Sequence, residues 1–328
     1  MARRDSRAAM PSKIAVIIPC YRVKPHILGV IERVGGEVAR IYVVDDACPD
    51  GTGDFVAANC RDERVVVLRN EENLGVGGAV MAGYAAALAD GADILVKVDG
   101  DGQMDPALIP RFVRPIAVGQ ADYSKGNRFY DLTRIGQMPT LRLLGNAVLS
   151  FMAKLSTGYW NVFDSTNGFT AIHARVARRI PFDKVSRRYF FETDMLFRLN
   201  IIRAVVTDIP MDASYGDEKS SLKISRVVGE FVAKHTRNFA KRVMYNYFLR
   251  DMTVASLELV FGAALFLFGV VFGSYHWIRA VSHATATPLG TIMLAALPTL
   301  LGLQMLLAFV GFDVANVPRR PIHPDLSD

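Results

Sequence analysis

The chain has 328 residues, 51% of them apolar, enough for a hydrophobic core without disulfide or metal staples. Its three cysteines, Cys20, Cys48 and Cys60, are odd in number and lack Cys-x-x-Cys spacing, which argues against a disulfide framework or a zinc site and for reduced thiols. The net charge of +6 gathers in Arg3, Arg4 and Arg7 and before a long apolar C-terminal region, where it suits anionic lipid headgroups, while no basic-aromatic motif points to nucleic acid.

Residues 1–12 form a basic tail with no apolar run before Pro11, so no signal peptide is expected. Ile14 to Pro19 predicts a buried strand and Val23 to Val38 a mixed helical stretch. Ile41 to Val44 predicts a second strand, ending on Asp45 and Asp46, and Arg64 to Leu68 a third. Gly77 to Leu88 is Ala-rich and helical, and Ile94 to Val98 predicts a fourth strand ending on Asp99. This alternation predicts an α/β fold with a mainly parallel sheet and helices on both faces. Such sheets bind ligands at the carboxyl ends of their strands, where Asp45, Asp46, Asp99 and Asp101 fall.

Asp99-Gly100-Asp101-Gly102-Gln103 places two carboxylates and an amide oxygen at alternate positions of a glycine-permitted turn. Mg²⁺ or Mn²⁺ take few protein oxygens and complete their shell with substrate phosphates, which suits this set. An isolated Asp-Gly-Asp-Gly stretch is otherwise an exposed turn, and no glutamate closes an EF-hand loop. Asn73-Leu74-Gly75-Val76-Gly77-Gly78-Ala79 opens a helix; it lacks the third glycine of a dinucleotide fingerprint, but Gly75 and Gly78 would allow close approach to a nucleotide.

Ile224 to Tyr247 carries apolar residues at helical spacing among basic ones, as in a helix lying on a membrane surface or packed on the preceding domain. Two runs, about 254–275 and 288–312, are each long enough to cross a bilayer. The alternative is a pair of buried core helices. Lys234, Arg237, Lys241, Arg242 and Arg250 precede the first run, and Arg319 and Arg320 follow the second, whereas the linker has only Arg279. The positive-inside rule then predicts a hairpin in the cytoplasmic (inner) membrane, multi-pass, with both termini and the large domain cytoplasmic.

Several segments together resemble the family 2 glycosyltransferases of GT-A fold. They are Ile17-Ile18-Pro19-Cys20-Tyr21, residues 43–52, Asn73-Leu74-Gly75, residues 99–106, Gly126-Asn127-Arg128-Phe129, Asn167-Gly168-Phe169 and Glu192-Thr193-Asp194, in the family's order. Within it the chain is similar to the polyprenyl-phosphate branch, which includes dolichol-phosphate mannosyltransferases and the GtrB-type undecaprenyl-phosphate glucosyltransferases. Met104 stands where many members have His. The resemblance implies a GT-A catalytic domain over residues 13–222, amphipathic juxtamembrane helices over 223–251, a transmembrane hairpin over 252–313 and a cytoplasmic tail over 314–328.

It also implies roles. Pro19 and Tyr21, with Asp45 or Asp46, would border the nucleotide. Asp99, Asp101 and Gln103 would ligate Mg²⁺ or Mn²⁺ on the diphosphate. Asp194 would be a general base or, on the plainer reading, a helix N-terminal carboxylate. Arg128 would meet the acceptor phosphate or form a structural ion pair. Lys219, with Lys223, would offset charge on the leaving group or be a solvated loop lysine. Leu141 to Leu155 would meet the bilayer beside the acceptor or form a core helix.

The expected reaction is an inverting, metal-dependent transfer of a hexose from a nucleotide sugar to a polyprenyl phosphate such as undecaprenyl phosphate. UDP-glucose is the first donor expected and GDP-mannose the second. The rival readings are transfer to a lipid-linked glycan or sugar hydroxyl, and a catalytically silent nucleotide-binding membrane scaffold. The bilayer is a partner throughout, a homo-oligomer is allowed, and nucleic acid is not expected.

Overall fold

The computed structural model describes residues 12–130, 140–212 and 224–327, with side chains of 140–144 and 224–228 excepted. The described chain divides into two compact units, one running to Asn238 and including Pro318 onward, the other Phe239–Val317.

In the first unit, β1 (Ile14–Cys20), β2 (Val38–Asp45), β3 (Val65–Arg69) and β4 (Ile94–Lys97) are mutually parallel, and β5 (Tyr123–Asn127), β6 (Thr170–His173) and β7 (Val206–Pro210) extend the sheet. The strand order is β3-β2-β1-β4-β6-β5-β7, with β6 antiparallel to both neighbours and β5 parallel to β7. All of β1 and β4 is buried, so these strands do not alternate apolar with polar; Lys97 is the one charged residue in them. The chain leaves β1 toward β2 on one side and has β4 on the other, which opens a crevice at the carboxyl ends of β1 and β4.

Helices α1 (Ile27–Glu32), α2 (Thr52–Asn59), α3 (Gly75–Ala89) and α4 (Ile109–Ala117) cover the parallel part of the sheet, and α5 (Thr140–Thr157), the single turn α6 (Ala174–Ala177) and α7 (Phe191–Ile201) follow. One core cluster joins β1, β2 and β4 to Ile27, Val30 and Ile31 of α1 and to Ile109, Phe112 and Ile116 of α4. Phe112 stacks on Phe169 at 3.9 Å between ring centres. The first helix is shorter than the Val23–Val38 stretch expected. Gly35-Gly36 interrupts it, since glycine costs about 1 kcal/mol in a helix, and Val38 already opens β2.

Helix α8 (Ile224–Met244) continues into a π-helical segment, Tyr245–Arg250. Its inward face is polar as well as apolar. His235 and Asn238 are buried in the first unit, bonding Ser156 (2.8 Å) and Asp194 (3.1 Å). Val232 and Met244 are exposed.

The second unit is a helical hairpin of α9 (Val254–Ser282) and α10 (Leu289–Ala315). Both helices run past the expected span limits, and Arg279, expected in the linker, is helical. Both are long and apolar enough to cross a membrane. Only 22% and 11% of their most apolar windows are buried, less than a pair of core helices would show. Leu267, Val271, Leu300 and Leu307 present their side chains outward. Within the hairpin the backbones approach closely at Gly302, where a Cβ would strike the backbone of Phe266.

Candidate active site

The acidic edge is built from strand ends. Asp45 closes β2, but both of its oxygens are taken by backbone: Cys48 N donates to Oδ1 (2.7 Å) and Gly53 N to Oδ2 (2.5 Å), which fastens the entry of α2. Asp46 does the same for the glycine-rich loop. It accepts from Leu74 N (2.9 Å), Gly75 N (2.7 Å) and Asn70 Nδ2 (2.8 Å). Both aspartates therefore shape the edge through protein donors. Pro19 lies inside β1, and Tyr21, just past the strand end, is 43% exposed.

The expected closeness at Gly75 and Gly78 is made to the protein's own chain. Gly75 has φ +78°, and a Cβ there would stand 2.6 Å from Arg187 O. A Cβ at Gly78 would strike the Leu74 side chain. These glycines let the segment around Arg187 seat on the start of α3, with Gly77 N donating to Arg187 O (2.8 Å).

Asp99 follows β4 and pairs with Lys97 (Nζ–Oδ1 2.8 Å). Lys97 is 1% exposed and also reaches Glu192 Oε1 (3.2 Å) at the start of α7. A Cβ at Gly168 would collide with Asp99 Oδ2 and Lys97 Nζ, so the Asn167-Gly168-Phe169 segment closes over this pair only because it has glycine there. Asp101 Oδ1 accepts from Gln103 N (3.0 Å), which folds the turn. Asp101 and Gln103 line a cavity of about 570 Å³ with His26, Glu32 and Arg33. Among the described residues, no three His, Cys, Asp or Glu side chains converge on a point that could hold a metal. The turn brings Asp101 and Gln103 to this cavity, so Mg²⁺ or Mn²⁺ held here would draw most of its shell from phosphate and water oxygens.

Arg128, one residue beyond β5, is gripped by Asp164: Nε–Oδ2 is 2.7 Å and an Nη contact to Oδ1 is 3.0 Å. Burial pushes the Asp164 carboxyl up, but Arg128 outweighs this and holds it below its ordinary range. The Arg128 side chain is 30% exposed. It borders an aromatic patch, since Phe129 meets Phe163 edge-on at 5.4 Å and Lys154 of α5 lies 5.5 Å from the Phe163 ring centre. Beyond it the outer face of α5 exposes Val148, Leu149 and Phe151, whereas Ala153, Ser156 and Thr157 are buried.

Asp194 stands in the first turn of α7 and is 6% exposed. Its Oδ2 accepts from Ser186 N (2.9 Å) and Arg198 Nε (3.1 Å), and its Oδ1 from Asn238 Nδ2 (3.1 Å). Asp194 is thus a buried carboxylate whose oxygens are met by three of the protein's own donors. Glu192, two residues earlier, is the α7 carboxylate that stands beside Lys97 and, through it, Asp99. Lys219 and Lys223 lie outside the described residues. Sequence reasoning missed Lys97, Asp164 and Glu192 as parts of the site. A lysine inside the apolar run Ile94–Val98 was the available signal, because a buried charge demands partners.

His235 ties the fold to pH. Burial pulls its imidazole down to about 4, against about 6.5 in an unfolded chain. The folded state then binds fewer protons than the unfolded one between these values, so stability is complete above pH 6.5 and falls as pH drops toward 4. Acidification from pH 7 to 5 should cost on the order of 2 kcal/mol through this residue. His173, also held near 4 chiefly by burial, adds in the same direction. Denaturant unfolding at the two pH values checks this; His235→Asn should shrink the loss by roughly half. An unchanged loss would show that His235 is not its source.

The glycosyl transferase family 2 model matches residues 15–181. An undecaprenyl-phosphate mannosyltransferase of Micrococcus luteus is 32% identical over 69% of this chain and 93% of its own length. A UDP-N-acetylglucosamine–dolichyl-phosphate N-acetylglucosaminyltransferase of Methanococcus voltae is 26% identical over 66% of this chain and 91% of its own. Among solved structures, glucosyl-3-phosphoglycerate synthase from Mycobacterium tuberculosis, in complex with Mn²⁺, UDP-glucose and glycerol 3-phosphate, superposes with a TM-score of 0.52 at 18% identity. That match covers 70% of this chain and 80% of the other, and at that identity it speaks for the GT-A fold alone.

Proposed function

Because the chain belongs to glycosyl transferase family 2 and is an enzyme of the polyprenyl-phosphate branch, we propose that it transfers a hexose from a nucleotide sugar to a polyprenyl monophosphate. The transfer is a single inverting displacement at the cytoplasmic membrane face. The observation that carries this reading lies in one catalytic unit. An acidic strand-end turn, Asp99 to Gln103, is accompanied by Arg128, held by Asp164 beside Phe163 and the exposed apolar face of α5. The first suits a diphosphate with its metal, and the second suits an anion attached to a lipid tail.

The leaving group is a nucleoside diphosphate, which gains charge as the glycosidic bond breaks. Asp99, Asp101 and Gln103 would hold Mg²⁺ or Mn²⁺, and the ion would stabilise that charge as a Lewis acid. Arg128 offers donors to the acceptor phosphate, pre-set by Asp164. A lipid phosphate is already anionic near neutral pH and needs no strong base, in keeping with an Asp194 occupied by Ser186, Arg198 and Asn238. A sugar hydroxyl acceptor would need one, so lipid phosphate is favoured.

The membrane placement has its own support. His235 and Asn238, ahead of the hairpin, are fixed to the catalytic unit. Beyond the hairpin, Ile322 N (3.0 Å) and His323 N (2.9 Å) donate to the buried carboxylate of Asp122 in that same unit. The segments before and after the two-helix hairpin thus both belong to the catalytic unit, and the basic flanks favour the cytoplasm.

The Micrococcus luteus relative favours mannose, so GDP-mannose moves ahead of UDP-glucose as the proposed donor. Purified enzyme given each radiolabelled donor with undecaprenyl phosphate should yield an organic-extractable, monophosphate-linked product, with more label from GDP-mannose. Label found only in water-soluble glycan or in a lipid diphosphate would refute the acceptor, and preference for UDP-glucose would reverse the donor assignment.

A further inference from the structure

Lys97 is a buried cation on the inner side of the carboxylate that the proposed function assigns to the metal. Its ammonium contacts Asp99 Oδ1 at 2.8 Å and Glu192 Oε1 at 3.2 Å, with 1% of its side chain exposed. Gly168 covers both Lys97 Nζ and Asp99 Oδ2 too closely for any side chain there. A lysine in this position has two opposed effects. It satisfies Asp99, which would otherwise carry its charge into a semi-buried strand end. It also competes with any second cation for that same carboxylate, because like charges a few ångströms apart repel strongly in a low-dielectric site.

Glu192 resolves the conflict. When Asp99 turns its charge to another cation, a buried ammonium needs a remaining anion, or it stays as an uncompensated buried charge. Glu192, 9% exposed and already within reach, is that anion.

We propose that Lys97 is a stand-in cation, occupying Asp99 until the divalent metal arrives with the nucleotide diphosphate, and that Glu192 retains Lys97 when Asp99 is handed over. The inference rests on reading Asp99 as a metal ligand. It makes metal binding conditional on the donor. The ion alone must displace Lys97, whereas the ion carried on a diphosphate gains phosphate ligands that offset the competition. Lys97 and Glu192 are positioning residues here, since neither need touch the sugar or the acceptor.

The test titrates Mn²⁺ into the full-length detergent-solubilised protein, with free Mn²⁺ read by electron paramagnetic resonance, alone and with GDP or UDP. Wild type should bind Mn²⁺ weakly alone and much more tightly with its nucleotide. Lys97→Gln, which removes the competing charge, should tighten nucleotide-free binding by about tenfold and shrink the nucleotide's advantage. Glu192→Gln keeps an oxygen on Lys97 but not the charge. It should weaken nucleotide-dependent binding by about tenfold, and it carries the test if Lys97→Gln fails to fold. Glu192→Gln binding Mn²⁺ as wild type does, or folded Lys97→Gln losing Mn²⁺ as completely as Asp101→Asn, would overturn the inference and leave the metal reading standing. Wild type that binds no Mn²⁺ with either nucleotide would overturn both.

Discussion

Asp101→Asn will lower sugar transfer by roughly 10²–10³-fold while leaving the protein folded. The substitution suits the local structure, because the asparagine oxygen can still accept from Gln103 N and keep the turn that Asp101 makes at 3.0 Å. What it removes is charge, and charge is what a divalent ion on a diphosphate needs from a turn with only two carboxylates. Asp99→Asn is a less clean probe, since Asp99 also neutralises the buried Lys97 and its loss would disturb folding as well as chemistry. The assay pairs initial rates of lipid-linked product with thermal unfolding of the same preparations, and EDTA added to wild type should reproduce the loss. Full activity in Asp101→Asn, or in wild type with EDTA, would sink the metal assignment. A variant that loses activity and stability together would show a structural role for Asp101.

The parts of this site that were legible in the sequence are those in which chemistry and chain position coincide. Asp99 follows directly on a run that is apolar except for Lys97, and a run of that length between helical segments is a buried parallel strand. The two helices of the hairpin were legible for a similar reason, since each is a long run of apolar residues. β5 was hidden. Tyr-Ser-Lys-Gly-Asn has no strand signature, yet all five residues are buried. Its polar groups are met by distant partners: Ser124 Oγ donates to Phe112 O (2.7 Å), and Lys125 donates to Asn167 O, with burial drawing its ammonium down to about 8.

The same non-locality concealed the partners of Arg128 and Lys97. Asp164 and Glu192 lie far along the chain and reach their cations only once β6 has inserted between β4 and β5. Asp45, Asp46 and Asp194 mark the opposite limit. Their positions at strand or helix ends were readable, but whether such a carboxylate faces a ligand or a row of backbone donors depends on the fold of the following loop. In all three it holds the protein's own donors.

Asp313→Ala will destabilise the hairpin unit by about 3–5 kcal/mol, the largest stability effect expected of a single substitution there. Asp313 lies near the end of α10, 5% exposed, and it holds Arg242 at 2.6 and 3.0 Å while Tyr247 Oη donates at 2.6 Å. Arg242 is 1% exposed and ranks among the largest fully buried side chains. In the sequence it reads as one more basic flank on the cytoplasmic side. In the structure it is an internal ligand that clips the segment before α9 to the end of α10, next to the apolar cluster of Val243, Tyr247, Ala255 and Phe309. Removing the carboxylate leaves a buried guanidinium without this counter-charge, and the cost is that lost compensation rather than the worth of the pair. Replacing both partners should therefore be far milder than replacing one: Arg242→Met with Asp313→Leu should recover most of the loss. Unfolding in detergent micelles, followed by protease sensitivity of the segment around Arg250, gives the comparison. If the double variant is as unstable as Asp313→Ala, the clip works through its hydrogen-bond geometry, Tyr247 included, and not through the balance of buried charge.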